Sequence, residues 1–174
     1  KTNFFTDNLK FLHIAPEYCF IKLFKNMKNI DYTTGDLISP WADVKMDVHD
    51  IPFDENSFDV VICNHVLEHV EDSQKVMTEF YRVMKPGGWG IFQVPIDNDN
   101  PLTIEDKSVV DPKEREKLYW QSDHLRLFGR DYGDRLTAAG FKVTESDFIN
   151  EIDPKLVERY ALPKNELVYY CQKI

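Results

Sequence analysis

The clearest pattern along the chain is a short apolar run followed by a helical repeat and a second apolar run. Residues 58–63 (FDVVIC) are mostly β-branched and apolar, as expected of a strand buried on both faces. Over residues 65–84 the apolar positions recur at helical spacing. Residues 85–88 (KPGG) then end the helix and lead into the apolar run at 89–94. This segment therefore predicts a strand, a helix and another strand.

Similar patterns on either side predict the remaining elements. Strands are predicted at residues 10–15, 30–37, 44–48, 141–148 and 166–173, and helices at 16–27 and 132–139. Because strands and helices alternate, we predict an α/β fold with an open, mostly parallel seven-stranded sheet and helices on both faces. Ligands of such sheets bind beyond the C-terminal ends of the strands, so the residues that follow each strand are the candidates for function.

The domain organisation follows from length and from one long polar segment. A chain of 174 residues suits a single domain, residues 1–174. Residues 95–122 are polar and too long for an ordinary connection, so we predict that they form an inserted lid or a substrate-side segment. The chain opens with Lys1 rather than Met, which leaves open that an N-terminal segment is missing.

Charge and cysteine content limit the partners. A net charge of −9 argues against nucleic acid or an anionic membrane as the main partner, so we expect a small-molecule substrate. No apolar run approaches the roughly 20 residues that a membrane span needs. The three cysteines are an odd number and read as reduced thiols, which predicts a cytoplasmic protein. We expect a monomer or a homodimer.

The middle of the chain resembles one family. Asp47, the Pro52–Phe53 pair, residues 57–59 (SFD) and residues 82–88 (RVMKPGG) follow one another as they do in a subgroup of the class I S-adenosylmethionine-dependent methyltransferases. The resemblance implies a Rossmann-like methyltransferase fold with an antiparallel last strand. It also implies S-adenosylmethionine as the cofactor and methyl transfer to a small-molecule or peptide-borne acceptor.

The turn after the first strand departs from the family pattern. The family has an acidic residue followed by a G-x-G-x-G turn, whose missing side chains let the backbone approach the cofactor. Here His13 stands at the position of the acid, and Ala15, Glu17 and Cys19 stand at those of the glycines. We expect His13, Ala15 and Glu17 to line a reshaped cofactor site, with Glu17 as the carboxylate for the cofactor's ammonium group. The alternative is a non-catalytic binding module that has lost the cofactor.

The other predicted cofactor residues follow the second, third and fourth strands: Asp36, Leu37, Asp47, Val48, Asn64 and His65. The resemblance implies that Asp36 accepts hydrogen bonds from both ribose hydroxyls, which suits a group with two acceptor oxygens. It implies that Asp47 accepts from the adenine amino group, and that Asn64 and His65 lie near the sulfonium.

Residues 65–69 also fit H-x-x-E-H, a pattern in which two histidines hold zinc and the glutamate activates water. Five residues are a weak signal, and the methyltransferase pattern already accounts for the segment. We therefore predict no metal site.

A second histidine occurs in a D-H-x-R-x-aromatic stretch at residues 123–128, which related methyltransferases place near the mouth of the pocket. His124 is predicted, with His65, to act as a catalytic base, because the unperturbed pKa of histidine lies near neutrality. Arg126 is predicted to bind a substrate carboxylate or phosphate through two hydrogen bonds, with His124 beside it.

Overall fold

The computed structural model describes residues 2–163 and 165–174. The strands are β1 (Leu9–Ile14), β2 (Ile30–Asp36), β3 (Val44–Lys45), β4 (Phe58–Asn64), β5 (Met84–Gln93), β6 (Ile104–Glu105), β7 (Arg126–Leu127), β8 (Lys142–Ser146) and β9 (Val168–Gln172). The α-helices are α1 (Tyr18–Lys25), α2 (Ser73–Val83), α3 (Pro112–Tyr119), α4 (Tyr132–Ala138) and α5 (Pro154–Arg159). A 3-10 helix spans Phe148–Glu151.

Seven of these strands form one sheet in the order β3-β2-β1-β4-β5-β9-β8. The strands from β3 to β5 are parallel, and β9 is antiparallel to both of its neighbours. The predicted fold class is confirmed. Because Ile14 pairs with Gly35 on one side and with Cys63 on the other, the C-terminal ends of β1, β2 and β4 meet at one edge of the sheet.

The alternation of side chains along the strands gives the sheet two apolar faces. On one face, Leu12 and Val61 pack in a cluster with Phe80 of α2 and Leu136 of α4. On the other, a smaller cluster around Phe11 receives Phe4 of the N-terminal segment, Phe24 of α1 and Met27, which follows α1. Helices therefore cover both faces, as a mostly parallel sheet requires.

The helix predicted at residues 65–84 is wrong in its first part. The chain leaves β4 through His65 in a left-handed conformation, with φ 55°, and residues 65–72 form a turn. Helix α2 begins at Ser73, where Asp72 caps it by accepting a hydrogen bond from Lys75 N–H at 2.9 Å. Its buried positions, Val76, Met77, Phe80 and Val83, have the predicted helical spacing.

Several other elements also differ in length from the prediction, most clearly β3 and β5. The third strand, predicted over residues 44–48, is only two residues long. Its short connection from β2 is fixed by Asp43, whose Oδ2 accepts hydrogen bonds from Thr34 N–H at 3.1 Å and from Thr34 Oγ1 at 2.7 Å. The fifth strand begins at Met84 rather than at residue 89.

The long segment after β5 carries structure of its own. Its charged KEREK run lies in α3, which begins after Asp111 as the N-cap. Strands β6 and β7 pair as a two-stranded antiparallel ladder, with Ile104 opposite Leu127 and Glu105 opposite Arg126. Within the residues that the structure describes, no helix is both long and apolar enough to cross a membrane.

Candidate active site

A pocket of about 670 Å³ opens at the C-terminal ends of β1, β2 and β3. Five of the predicted cofactor residues line it: Ala15, Asp36, Leu37, Asp47 and Val48. They come from three different strand ends, and only the sheet register brings them together. We call this cavity the cofactor pocket. Its volume suits a ligand of cofactor size.

Ala15 keeps the backbone geometry of the glycine it replaces. Its φ is 48°, in the left-handed region that favours glycine. The turn therefore has the conformation of a glycine turn although a methyl group is present. Ala15 lines the cofactor pocket, so that methyl group forms part of its wall.

Substitution of Ala15 by glycine should leave the protein equally stable or stabilise it by up to about 1 kcal/mol. A left-handed alanine costs roughly 1–2 kcal/mol, and the greater chain entropy of glycine offsets about 0.4–1 kcal/mol of the gain. Urea unfolding measures the difference. Ala138→Gly, at an exposed helical position of α4, is the matched control and should lose about 0.5–1 kcal/mol. Equal losses of unfolding free energy in the two variants would show that the backbone at Ala15 is not strained.

Asp36 organises the chain that follows β2. Its Oδ1 accepts hydrogen bonds from Ile38 N–H and Ser39 N–H, both at 2.7 Å. Among residues 2–163 and 165–174, no hydrogen bond uses Oδ2 of this carboxylate. Asp36 thus forms a turn and lines the cofactor pocket at the same time.

Asp47 has a comparable arrangement at the end of β3. Its Oδ1 accepts a hydrogen bond from His49 N–H at 2.8 Å and lies 2.7 Å from His49 Nδ1. The backbone hydrogen bond, followed by that of the imidazole, lowers the pKa of Asp47. The carboxylate is therefore ionised at neutral pH and accepts hydrogen bonds, which is what the predicted contact with an amino group requires.

Polar side chains near the first turn form a row of contacts at the C-terminal edge of the sheet. Glu17 Oε1 accepts a hydrogen bond from Asn64 Nδ2 at 2.8 Å, and Glu17 Oε2 lies 2.7 Å from His13 Nε2, in poor alignment for a hydrogen bond. His13 Nδ1 lies 2.9 Å from the Tyr32 hydroxyl. Because only 1% of His13 is exposed, it could influence a ligand only through Glu17. Asn64 and Glu17 thus join the ends of β1 and β4.

This chain of contacts controls the charge of Glu17. Burial opposes ionisation, but the close contact with His13 and the hydrogen bond from Asn64 outweigh it and lower the pKa of Glu17 to about 2. A carboxylate whose pKa is lowered by folding stabilises the protein above its unfolded pKa, near 4.5, and this stabilisation is lost as pH falls from 4.5 towards 2. We expect Glu17→Gln to lose stability at neutral pH and to depend less steeply on pH in that range. Urea unfolding between pH 6 and about pH 3.5 tests this, and a slope equal to that of the wild type would contradict it.

A second cavity, of about 300 Å³, has His65 in its wall. We call it the acceptor pocket. Its walls include His65, Gln93, Trp120 and Tyr169. The His65 side chain is 61% exposed, and its Nδ1 lies 3.3 Å from Glu68 Oε1. Of the two predicted bases, His65 is the one that can meet a ligand.

His124 does not fit the predicted substrate contact. It is 2% exposed, and its Nδ1 donates to the carbonyl oxygen of Tyr119 at 2.8 Å. Its ring packs edge-on against that of His69, with 4.7 Å between the centroids. The predicted role of His124 as a catalytic base is corrected, because a buried ring cannot take a proton directly from a methyl acceptor.

Arg126 is likewise placed in the interior, with 1% of its surface exposed. Its Nη1 donates to the carbonyl oxygens of Leu67, at 2.6 Å, and Val70, at 2.5 Å. Its Nη2 donates to the carbonyl oxygen of Glu71 at 3.1 Å and to Glu105 Oε1 at 2.9 Å. The guanidinium is therefore occupied by the protein. The predicted role in binding a substrate anion is corrected to a structural one.

Sequence reasoning missed several walls of the acceptor pocket. Gln93 accepts from Tyr169 N–H at 3.0 Å and donates to the carbonyl of Leu167 at 2.9 Å, which fixes the start of β9 beside β5. Trp120 follows α3 in a left-handed conformation, with φ 73°, and half of its surface is exposed. A tryptophan between a charged helix and the D-H-x-R stretch was the available signal, since large exposed aromatics are enriched at binding surfaces.

A cavity larger than the cofactor pocket lies elsewhere. It has about 770 Å³ and is bounded by the 3-10 helix and α5. Its walls are mostly apolar, with Glu158 as the ionisable residue among them. Size alone does not make it a candidate, because a binding site needs several converging polar groups.

Comparison with known proteins agrees with this geometry. Residues 17–92 match the methyltransferase domain family. The fold is similar to that of the 1,6-didemethyltoxoflavin-N1-methyltransferase of Burkholderia thailandensis, solved with its substrate and S-adenosylhomocysteine, with a TM-score of 0.64 and 15% identity over 96% of this chain and 72% of that one. The chain has the fold of the class I methyltransferases. The predicted family is confirmed, and S-adenosylmethionine is the cofactor of that family.

Other methyltransferases are similar to this one. The sterol 24-C-methyltransferase of Schizosaccharomyces pombe is 31% identical over 137 residues, which are 75% of this chain and 34% of that protein. A phosphoethanolamine N-methyltransferase of Haemonchus contortus, in complex with S-adenosylmethionine, has a TM-score of 0.61 and 16% identity over 96% of this chain and 49% of that one. The chain thus spans about a third of the sterol enzyme.

Proposed function

We propose that this protein is a methyltransferase that uses S-adenosylmethionine to methylate a small-molecule or peptide-borne acceptor. The observation that carries the proposal is the convergence of Ala15, Asp36 and Asp47 on one pocket at the ends of β1, β2 and β3. We assign Asp36 to the ribose hydroxyls, and Asp47 and Val48 to the adenine ring. These roles rest on the family resemblance and on the exposure of both carboxylates in one cavity.

Glu17 and Asn64 are assigned to the methionine part of the cofactor. They are joined at the ends of the two central strands, next to the cofactor pocket. Glu17 is ionised, because its lowered pKa keeps the carboxylate charged across the physiological range. An ionised carboxylate at this edge suits the ammonium group of an amino acid. His13 lies behind Glu17 and holds it in place.

His65 is assigned as the base that accepts a proton from the acceptor. Its imidazole is exposed in the acceptor pocket, and Glu68 contacts Nδ1 from behind, an arrangement that orients a catalytic histidine. The cofactor supplies an activated methyl group on a positively charged sulfonium. The protein's main contribution is therefore to hold the acceptor atom in line with the methyl group.

The identity of the acceptor is not carried over from the relatives. The activities that their names state range from carbon methylation of a sterol to nitrogen methylation of phosphoethanolamine. Function in such folds depends on the site rather than on the fold. The small acceptor pocket of about 300 Å³ favours a small molecule or a single side chain.

The alternative of a binding module without cofactor would require the first turn to be blocked. Tyr18, the bulkiest residue of that turn, is largely exposed and packs edge-on against Trp41, with ring centroids 5.6 Å apart. Glu17 is drawn towards Asn64 and His13. Neither side chain lines the cofactor pocket. These positions support cofactor binding over its loss.

Titration calorimetry with S-adenosylhomocysteine tests the proposal, with adenosine as the comparison ligand. We expect S-adenosylhomocysteine to bind at a single site, and to bind more tightly than adenosine because Glu17 and Asn64 contact its amino acid part. Equal affinity for the two ligands would show that the glycine-poor turn does not hold the methionine part. No binding of either ligand would refute the proposed function.

A further inference from the structure

Three side chains that are typical metal ligands form a cluster at the wall of the cofactor pocket, which His69 lines. Glu68 and His69 belong to the turn at residues 65–72, and His124 belongs to the turn that precedes β7. One ligand atom from each lies within 4.8 Å of the other two. Leu125 N–H donates to the carbonyl oxygen of Glu68 at 2.8 Å, which holds the two turns against each other.

The Glu68 carboxylate is buried without a full set of partners. Only 1% of the residue is exposed. Its Oε1 is 3.3 Å from His65 Nδ1, while its buried Oε2 has no hydrogen-bond partner within residues 2–163 and 165–174. A buried carboxylate oxygen without a partner is costly, because it loses its hydration and gains no compensating contact. A bound cation would remove that cost.

Both histidines of the cluster are held in the form that binds a metal. The carbonyl oxygen of Tyr119 can only accept, so His124 Nδ1, at 2.8 Å, carries the proton and the lone pair of the neutral ring is on Nε2. His69 Nδ1 lies 3.4 Å from Asp123 Oδ2, which favours the same tautomer. An oxygen acceptor behind the ring is the usual support of a metal-binding histidine.

We propose that Glu68, His69 and His124 bind a transition-metal dication such as Zn²⁺ or Mn²⁺. Two imidazoles and one carboxylate suit these ions better than Mg²⁺ or Ca²⁺, which prefer oxygen ligands. The ligand atoms of tetrahedral zinc lie about 3.4 Å apart, so the ion would draw the three groups inward from their spread of up to 4.8 Å.

This site departs from the prediction that the chain holds no metal, and it differs from the H-x-x-E-H pattern. That pattern pairs His65 with His69, whereas the cluster takes its second histidine from residue 124, far along the chain. The positive charge of Arg126, close by in sequence, is offset by Glu105 at 2.9 Å.

The position of the ion indicates the class of acceptor, a step that rests on the proposed function. His69 lines the cofactor pocket, and His65, in contact with Glu68, lines the acceptor pocket. Three protein ligands leave at least one coordination position open. We expect that position to bind an oxygen of the acceptor, which would restrict acceptors to molecules with a hydroxyl or carboxylate near the methylated atom.

Equilibrium dialysis of chelator-treated protein against Zn²⁺ and Mn²⁺ tests the site. We expect binding of one ion per chain, and we expect Glu68→Gln and His124→Asn to weaken it by about 10- to 100-fold or more. Glu68→Gln keeps the shape of the side chain. Co²⁺ absorption gives a second readout, because ligand-field bands report the imidazole and carboxylate ligands directly. Circular dichroism verifies that each variant is folded.

His49→Gln is the matched control, since His49 is also partly buried beside a carboxylate but lies outside the cluster. It should retain wild-type affinity for the ion. Absence of binding by the wild type, or unchanged binding in folded Glu68→Gln, would overturn the proposal. Binding of S-adenosylhomocysteine is measured in parallel, so that a protein that binds the ion but not this ligand refutes the proposed function and leaves the metal site standing.

Discussion

Replacement of Arg126 by lysine should lower the free energy of unfolding by about 3–5 kcal/mol. The guanidinium donates to three backbone carbonyls of the turn at residues 65–72 and to Glu105. Lysine carries its three donors on a single nitrogen and cannot bond to all four of these oxygens. Several buried oxygens would therefore lose their hydrogen-bond partners. Urea denaturation followed by tryptophan fluorescence measures the loss.

Arg130→Lys is the control for this prediction. Arg130 is exposed and donates one hydrogen bond, from Nη1 to the carbonyl of Asn98 at 2.6 Å. It should lose less than about 1 kcal/mol, because exposed hydrogen bonds contribute little. If Arg126→Lys were as stable as Arg130→Lys, the turn and β7 would not depend on the buried guanidinium.

Asp36→Asn should weaken the binding of S-adenosylhomocysteine by about 10- to 100-fold, since a hydrogen bond to a charged group contributes roughly 1.5–3 kcal/mol. Asparagine keeps Oδ1, which accepts from Ile38 and Ser39, so the turn after β2 should survive. The second oxygen becomes an amino group and can no longer accept from a ribose hydroxyl. Calorimetry measures the change in affinity.

The control is Asp31→Asn, an exposed aspartate on the same strand that lies outside the cofactor pocket. It changes the net charge by the same amount and should leave the affinity unchanged. An Asp36→Asn variant that binds as tightly as Asp31→Asn would show that Asp36 only shapes the turn.

Three errors of the sequence-based prediction, the start of α2 and the roles of His124 and Arg126, have a common physical origin in the turn at residues 65–72. Apolar periodicity located the strands and helix α2, because buried faces require it. The same periodicity extended the predicted helix back to His65. The spacing of apolar residues gives no information about the left-handed backbone conformation of His65, which ends the possibility of a helix there. In a helix, the carbonyl oxygens of Leu67 and Val70 would be bonded internally. In the turn they are free to bind Arg126.

The roles predicted for His124 and Arg126 were wrong for that reason. The family resemblance of the D-H-x-R-x-aromatic stretch placed both residues at the mouth of the pocket, and a local motif does not reveal burial by a distant segment. The burial of Arg126 depends on acceptors from a turn about 55 residues earlier in the chain, and the ring of His124 packs against His69 of the same turn. The residues at strand ends were easier to predict, because the topology of a parallel sheet places them at one edge whatever the details of the turns.

The β6–β7 ladder also bears on how acceptor preference could diverge in this protein. Pairing of Glu105 with Arg126 closes the intervening chain at its base. Tyr119 is buried, and its hydroxyl accepts from Asp106 N–H at 3.1 Å, which sets apart an outer segment made of the irregular loop 107–111 and most of α3. Doubling the length of such a loop costs only about 0.6 kcal/mol. Insertions there would alter the approach to the acceptor pocket while the sheet and cofactor pocket stay intact. We therefore expect changes of acceptor preference to arise most easily from changes in this loop.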